Sequence, residues 1–166
     1  MADGTPPSSH VPSLGRNGGG WVLLQFVALG AAFTGAWRFR GDAEGQLLTV
    51  LVALGSALIV LGVVVLVFGF RNLGHSVSIL PRPVEGGTLV VDGIYTYIRH
   101  PFYLGLMLVM AGFSVAMDSV VGLVLCVVLE IVLDLKSRRE EIWLRERYSG
   151  YEQYAARTKR FVPYVY

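Results

Sequence analysis

From Gln46 to Phe70 the chain runs 25 residues without a charged side chain, and from Trp21 to Trp37 it runs 17. A helix needs roughly 17 to 25 apolar residues to cross the hydrocarbon core of a bilayer. Both runs therefore read as membrane spans. Composition agrees: 54% of the 166 residues are hydrophobic and 16% are charged, where an average soluble domain carries about 25% charged residues.

A third apolar block extends 35 residues from Pro101 to Leu135 and is interrupted by Asp118, Glu130 and Asp134. It is too long for one ordinary span and reads as a tight helical hairpin turning at Met117-Asp118-Ser119. Each arm of about 17 residues is roughly 26 Å long, slightly under a ~30 Å core. The fold class expected is an all-α membrane protein of about four transmembrane helices, with spans near 21–39, 46–70, 101–117 and 119–136. A cytoplasmic loop and a C-terminal helix complete it, in one domain over 21–166.

Four spans with both termini on one side put twelve of the fourteen Lys and Arg residues on that side and leave Arg38 and Arg40 on the other. The positive-inside rule then makes the termini cytoplasmic, in a multi-pass protein of the cell inner membrane. Topology and lipid headgroups account for the basic excess, and nucleic acid is not called for. Residues 1–20, rich in Pro, Ser and Gly with the single Arg16, read as a disordered tail. The lone Cys126 allows no internal disulfide, and His10, His75 and His100 lack any metal-ligand spacing. No metal is expected.

Glycines recur every seven residues at 55, 62 and 69, and again at 105 and 112; each series marks a helix face open to close approach by a neighbour. The long polar connection from Arg71 to Ile98 contains Pro81-Arg82-Pro83 and Glu85-Gly86-Gly87, which break any helix, and it is expected to fold against the membrane face. Pro101 suits the first turn of a helix, whose N–H groups and dipole favour an anion. Glu130, Asp134, Arg138 and Glu141 lie at steps of four, four and three, forming a polar stripe from membrane depth outward. Tyr148, Tyr151, Tyr154 and Phe161, interleaved with Arg157, Lys159 and Arg160, read as a headgroup anchor or, more sharply, as a lid.

Neither a G-x-G-x-x-G after a strand nor a Walker-type loop occurs, so any cofactor must be held by the loop, the His100 threshold and the C-terminal helix. The residues that could hold it stand in a recognisable order: Leu89-Val90, Gly93-x-Tyr95, Arg99-His100-Pro101-x-Tyr103-x-Gly105, Glu140-Glu141-x-x-Leu144 and Tyr151-x-x-Tyr154. This series, covering roughly residues 71 to 163, resembles the isoprenylcysteine carboxyl methyltransferase family of integral-membrane methyltransferases. The resemblance implies an enzyme that binds S-adenosylmethionine in a cytoplasm-facing pocket and methylates a lipophilic acceptor from the bilayer. Carried over by position, Gly87, Thr88, Leu89, Val90, Tyr95, His100, Pro101, Phe102 and Tyr103 would line the cofactor, with Glu140 completing the pocket. Four residues before that Glu the family has an Arg near the acceptor, where this chain has Lys136.

The residues themselves suit that chemistry. Arg99, the His100 region and a helix N-terminus could hold the cofactor's carboxylate, and a Glu suits ribose hydroxyls. A carboxylate acceptor, isoprenylcysteine-like or an isoprenoid acid, needs only a cation such as Lys136 or Arg139 to orient it. An amine acceptor, as in phospholipid N-methylation, would need a general base, for which Glu141 is the candidate. Two other readings stay open: a nicotinamide-dependent membrane reductase, and a non-catalytic membrane module.

Overall fold

The computed structural model describes residues 11–74, 86–163 and 165, so the Pro81-Arg82-Pro83 breakers, Glu85, His10 and His75 lie outside the described residues. Among the described residues there are five α-helices: α1 Gly19–Arg38, α2 Gly45–Leu73, α3 Pro101–Ala116, α4 Val120–Arg147 and α5 Tyr151–Arg157. A 3₁₀ turn, Gly93–Thr96, precedes α3. This is an all-α membrane protein. Helices α1 and α2 are each long and apolar enough to cross a membrane, and α3 is a shorter apolar helix of 16 residues.

Side-chain size runs opposite to that of a soluble core. The residues buried on α1 are chiefly Ala28, Ala32, Gly35 and Ala36, and those buried on α2 are Gly55, Gly62 and Gly69. Large side chains such as Leu23, Phe26, Leu54, Leu61 and Phe68 point outward. Lipid tails are as apolar as leucine, so membrane helices gain by close backbone approach and not by hiding large residues from water.

Helix α2 lies along α3, α1 lies along α4, and α3 and α4 join the two pairs. The seven-residue glycine series meet one another. A methyl group on Gly55 would fall 2.5 Å from the Gly112 carbonyl, and one on Gly62 would fall 2.8 Å from that of Gly105. Pro101 and Phe102 cover Gly69. On the other side Gly122 admits Ala36, and Gly35 admits Leu125.

The hairpin turns where the sequence indicates. Helix α3 ends at Ala116, Asp118 takes a left-handed conformation (φ 51°) and Ser119 caps α4, its hydroxyl accepting from the Gly122 N–H at 3.1 Å. The α1–α2 connection meets this turn. The Gly41 N–H donates to the Met117 carbonyl at 3.1 Å, and the Ser119 hydroxyl donates to the Phe39 carbonyl at 2.8 Å. Both short connections thus sit at one end of the bundle, leaving the His100 threshold and the charged half of α4 at the other. Helix α4 continues through its change of composition for 28 residues, about 42 Å at 1.5 Å per residue.

Of the stretch read as a disordered tail, Gly19 and Gly20 form the first turn of α1, and the Trp21 indole donates back to the Pro12 carbonyl at 2.9 Å. The polar stripe on α4 divides. Glu130 is exposed on the outer apolar face, while Asp134 pairs with Arg138 and Arg160, and Glu141 is buried.

Candidate active site

The approach to α3 is shaped by backbone. Gly93 has φ +60°, and a side chain there would strike Asn72, whose Oδ1 accepts from the Ile94 N–H at 3.2 Å. That turn brings Tyr95 inward to donate to the Gly69 carbonyl at 3.4 Å. Pro101 occupies the first turn of α3, and His100 ahead of it offers no side-chain cap. The N–H groups of Tyr103 and Leu104 donate to the His100 carbonyl at 3.1 and 3.3 Å, while Pro101 has no N–H to satisfy.

Helix α4 presents its residues in two directions. On one face, Lys136 and Glu140 bracket Tyr103. The Tyr103 hydroxyl donates to Glu140 Oε2 at 2.7 Å, and the Lys136 ammonium sits 5.1 Å above the ring. The His100 ring stacks on Tyr103, with centroids 5.2 Å apart and planes 2° from parallel, and its Nδ1 lies 3.8 Å from Glu140 Oε2. Lys136 reaches across to α1, donating to Gln25 Oε1 at 2.5 Å.

On the other face Glu141, 1% exposed, is gripped from several sides. Arg99 Nε donates at 3.0 Å, Arg160 donates to both carboxylate oxygens at 3.2 Å, and His100 Nε2 lies 3.3 Å away. Burial alone would raise the Glu141 carboxyl. The hydrogen bonds from His100 and Arg160 and the charges of His100 and Arg99 outweigh it, and the group stays ionised well below the usual carboxylate range.

The C-terminal segment closes the arrangement. Backbone N–H groups of Arg99 and His100 donate to the carbonyls of Lys159 and Arg160 at 2.8 and 3.1 Å, and Lys159 donates back to Tyr97. Arg99 also donates to the carbonyls of Ala155 and Thr158, and Phe161 stands 6.0 Å from the His100 ring. The headgroup-anchor reading fails for two residues: Tyr151 and Phe161 are buried, at 1% and 3% exposure, where the tail binds the 97–100 strip.

Phenols surround the site as neutral hydrogen-bonding groups. Tyr154 donates to the Tyr95 carbonyl at 2.8 Å and Tyr148 to the Gly87 carbonyl at 2.9 Å. Burial first, and then the charge of Glu140, pushes the Tyr95 hydroxyl far above its ordinary range; burial does the same to Tyr154 and Tyr151.

Tyr95, Arg99, His100, Pro101, Tyr103, Lys136, Glu140 and Glu141 thus come together at one end of the bundle. Gly87 is tied to them through Tyr148, with Leu89 and Val90 half-buried and Thr88 exposed nearby in the chain. Phe102 turns the other way, edge-on to Phe70 of α2. Arg99 and Glu141 are committed to each other. Three participants escaped the sequence reading: Gln25, Thr158 and Arg160. A polar residue inside an uncharged 17-residue run was a signal for Gln25, whereas Arg160 looked like any other cation of a basic tail.

The family model described as phospholipid methyltransferase matches residues 50–150, which hold most of α2, the threshold, α3 and all of α4. The chain belongs to that family. It is therefore a membrane methyltransferase, of the isoprenylcysteine carboxyl methyltransferase-like group. This phospholipid methyltransferase family member is also 27% identical over 173 residues to the cobalt-zinc-cadmium resistance protein CzcN of Cupriavidus metallidurans, a match covering 98% of this chain and 75% of that one. Gln25, Thr158 and Arg160 lie outside the segment that the family model matches.

Proposed function

We propose that this family member transfers a methyl group from S-adenosylmethionine to a lipophilic carboxylate at the cytoplasmic leaflet, in a four-span protein of the inner membrane with both termini cytoplasmic. The observation that carries the reading is the Glu140–Tyr103–Lys136 arrangement. One carboxylate at the hydroxyl and one ammonium over the face meet on a single ring, beside a helix start whose His100 provides no side-chain cap.

The residues suit the cofactor. Glu140 is fixed through one oxygen by Tyr103 and its side chain keeps about a quarter of its surface exposed, so it can accept from ribose hydroxyls. The positive dipole end of α3 suits a carboxylate, and Gly87 to Val90 with Tyr95 would form the remaining wall. S-adenosylmethionine, when bound, supplies an electrophilic methyl group on a sulfonium.

Positioning and exclusion of water are then the protein's main contributions. Arg99 braces the C-terminal segment and Glu141, and in this reading its part in holding the cofactor is indirect. Glu141, ringed by Arg99, His100, Arg160 and Arg145, is a poor proton acceptor, which favours an acceptor that is already anionic and needs no base. Lys136 would orient that anion. The family's description favours a second reading, methylation of a phospholipid amine.

Two measurements test these statements. Calorimetry with S-adenosylhomocysteine should show binding to the purified chain and a loss of at least about tenfold, or 1.4 kcal/mol, for Glu140→Gln and for His100→Ala; a wild-type protein that binds none would end the cofactor reading. Membranes given methyl-labelled cofactor should yield a product that releases labelled methanol in base. Base-stable label would move the acceptor from carboxylate to amine.

A further inference from the structure

Lys136 is 3% exposed and no carboxylate lies within 4 Å of its nitrogen among the described residues. Its partners are both neutral, the Gln25 side-chain carbonyl at 2.5 Å and the face of the Tyr103 ring. A lysine near a membrane surface ordinarily extends its nitrogen into water, and this one does not. A buried ammonium whose direct contacts are neutral is costly to hold, even with the Glu140 carboxylate acting on it from further off, and a charge kept at that cost points to use.

Gln25 is as unusual as its partner. The other hydroxyl or amide side chain of α1, Thr34, bonds the carbonyls of its own helix at Gly30 and Ala31, whereas Gln25 bonds across to α4. The choice of an amide has a physical consequence. A carbonyl dipole orients the ammonium and takes one of its three donors, yet leaves its charge intact. The nearby carboxylate, Glu140, is engaged by the Tyr103 hydroxyl.

We propose that Gln25 is the specificity-determining residue on the acceptor side: it fixes the Lys136 ammonium over Tyr103 without neutralising it, so that the site takes a lipophilic anion and rejects a lipophilic cation. The inference rests on the reading of Lys136 as the group that faces the acceptor. Gln25→Glu is nearly isosteric and would turn the contact into an internal ion pair, cancelling the charge while preserving the packing.

The probes are oleate and oleylamine, titrated calorimetrically into the full chain in maltoside micelles, and the quantity read is the ratio of their dissociation constants. The wild-type protein should prefer oleate. In Gln25→Glu that preference should fall by about tenfold or more, the smallest change expected from a close charge pair, while S-adenosylhomocysteine binding stays as in wild type. Lys136→Met, which removes the charge without adding one, should lose the preference as well. An unchanged ratio in either variant overturns the proposal, as does equal weakening of both probes in Gln25→Glu, which would mark a packing role. A wild-type chain that binds oleate selectively but no S-adenosylhomocysteine would sink the cofactor reading and leave this one standing.

Discussion

Glu140 and Glu141 are adjacent in sequence and opposite in task, because successive residues on a helix point about 100° apart. Glu140 is partly exposed beside Tyr103, while Glu141 is buried among Arg99, Arg160 and His100. Their variants should therefore fail differently. Glu140→Gln should impair cofactor binding with little change in stability. Glu141→Gln leaves buried cations without their anion and should cost about 3–5 kcal/mol, read from thermal unfolding in micelles. The pH dependence has a definite sign. The folded carboxyl of Glu141 titrates below the unfolded value of about 4.3, so its contribution is complete above that pH and is lost as pH falls through the folded value. Wild-type unfolding temperature should decline on acidification below about pH 4, and the decline should be shallower in Glu141→Gln. The Glu-Glu pair was readable as a site, but which member did which job was not; that depends on where Arg160 comes to rest, nineteen positions later in the chain.

At the scale of the elements, the α2–α3 pair was the most readable part of the fold. A seven-residue glycine repeat keeps near one helix face, and two such faces can meet only where neither carries a side chain. Gly62 demonstrates the tolerance: a Cβ there would approach the Gly105 carbonyl at 2.8 Å and Val109 at 2.8 and 2.9 Å. Gly62→Val should separate the helices and cost about 1–3 kcal/mol, the range for overpacking. Gly30→Ala is the matched control, since nothing lies within 4 Å of its Cβ position and alanine suits a helix interior better by up to about 1 kcal/mol. A Gly62→Val protein as heat-stable as wild type would show that this contact does not hold the pair. The hairpin was readable for a related reason, a polar Asp-Ser pair dividing a block too long for one span. Glu130 was less transparent, because spacing places a residue on a stripe but does not say whether lipid or protein lies beyond it. Here the outer face carries it, next to exposed Val127 and Ile131.

In the molecule as a whole, the C-terminal segment and the His100 threshold are built as one object. Some sixty residues separate Arg99 from Thr158, yet the backbone of 97–100 and that of 159–160 exchange three hydrogen bonds, and Arg160 bridges Glu141 and Asp134. Sequence alone hid this, since a basic aromatic tail has the same composition whether it lies in headgroups or docks on protein. Docking makes Arg160 a positioning residue: through Glu141 it holds the His100 ring, which stacks on the Tyr103 that binds Glu140. Arg160→Met should thus weaken S-adenosylhomocysteine binding although the side chain need not touch the cofactor. Arg160→Lys, a point charge without the fork, can reach one of the carboxylates Glu141 and Asp134 but not bind both as the guanidinium does, and should recover part of the loss. A residue that served only as a headgroup anchor would behave otherwise. Methionine would then reduce membrane retention and leave cofactor affinity alone, and lysine would restore retention completely because headgroups respond to charge and not to planarity. Measuring both quantities on the same three proteins separates the two roles, and wild-type affinity in Arg160→Met would detach the tail from the active site.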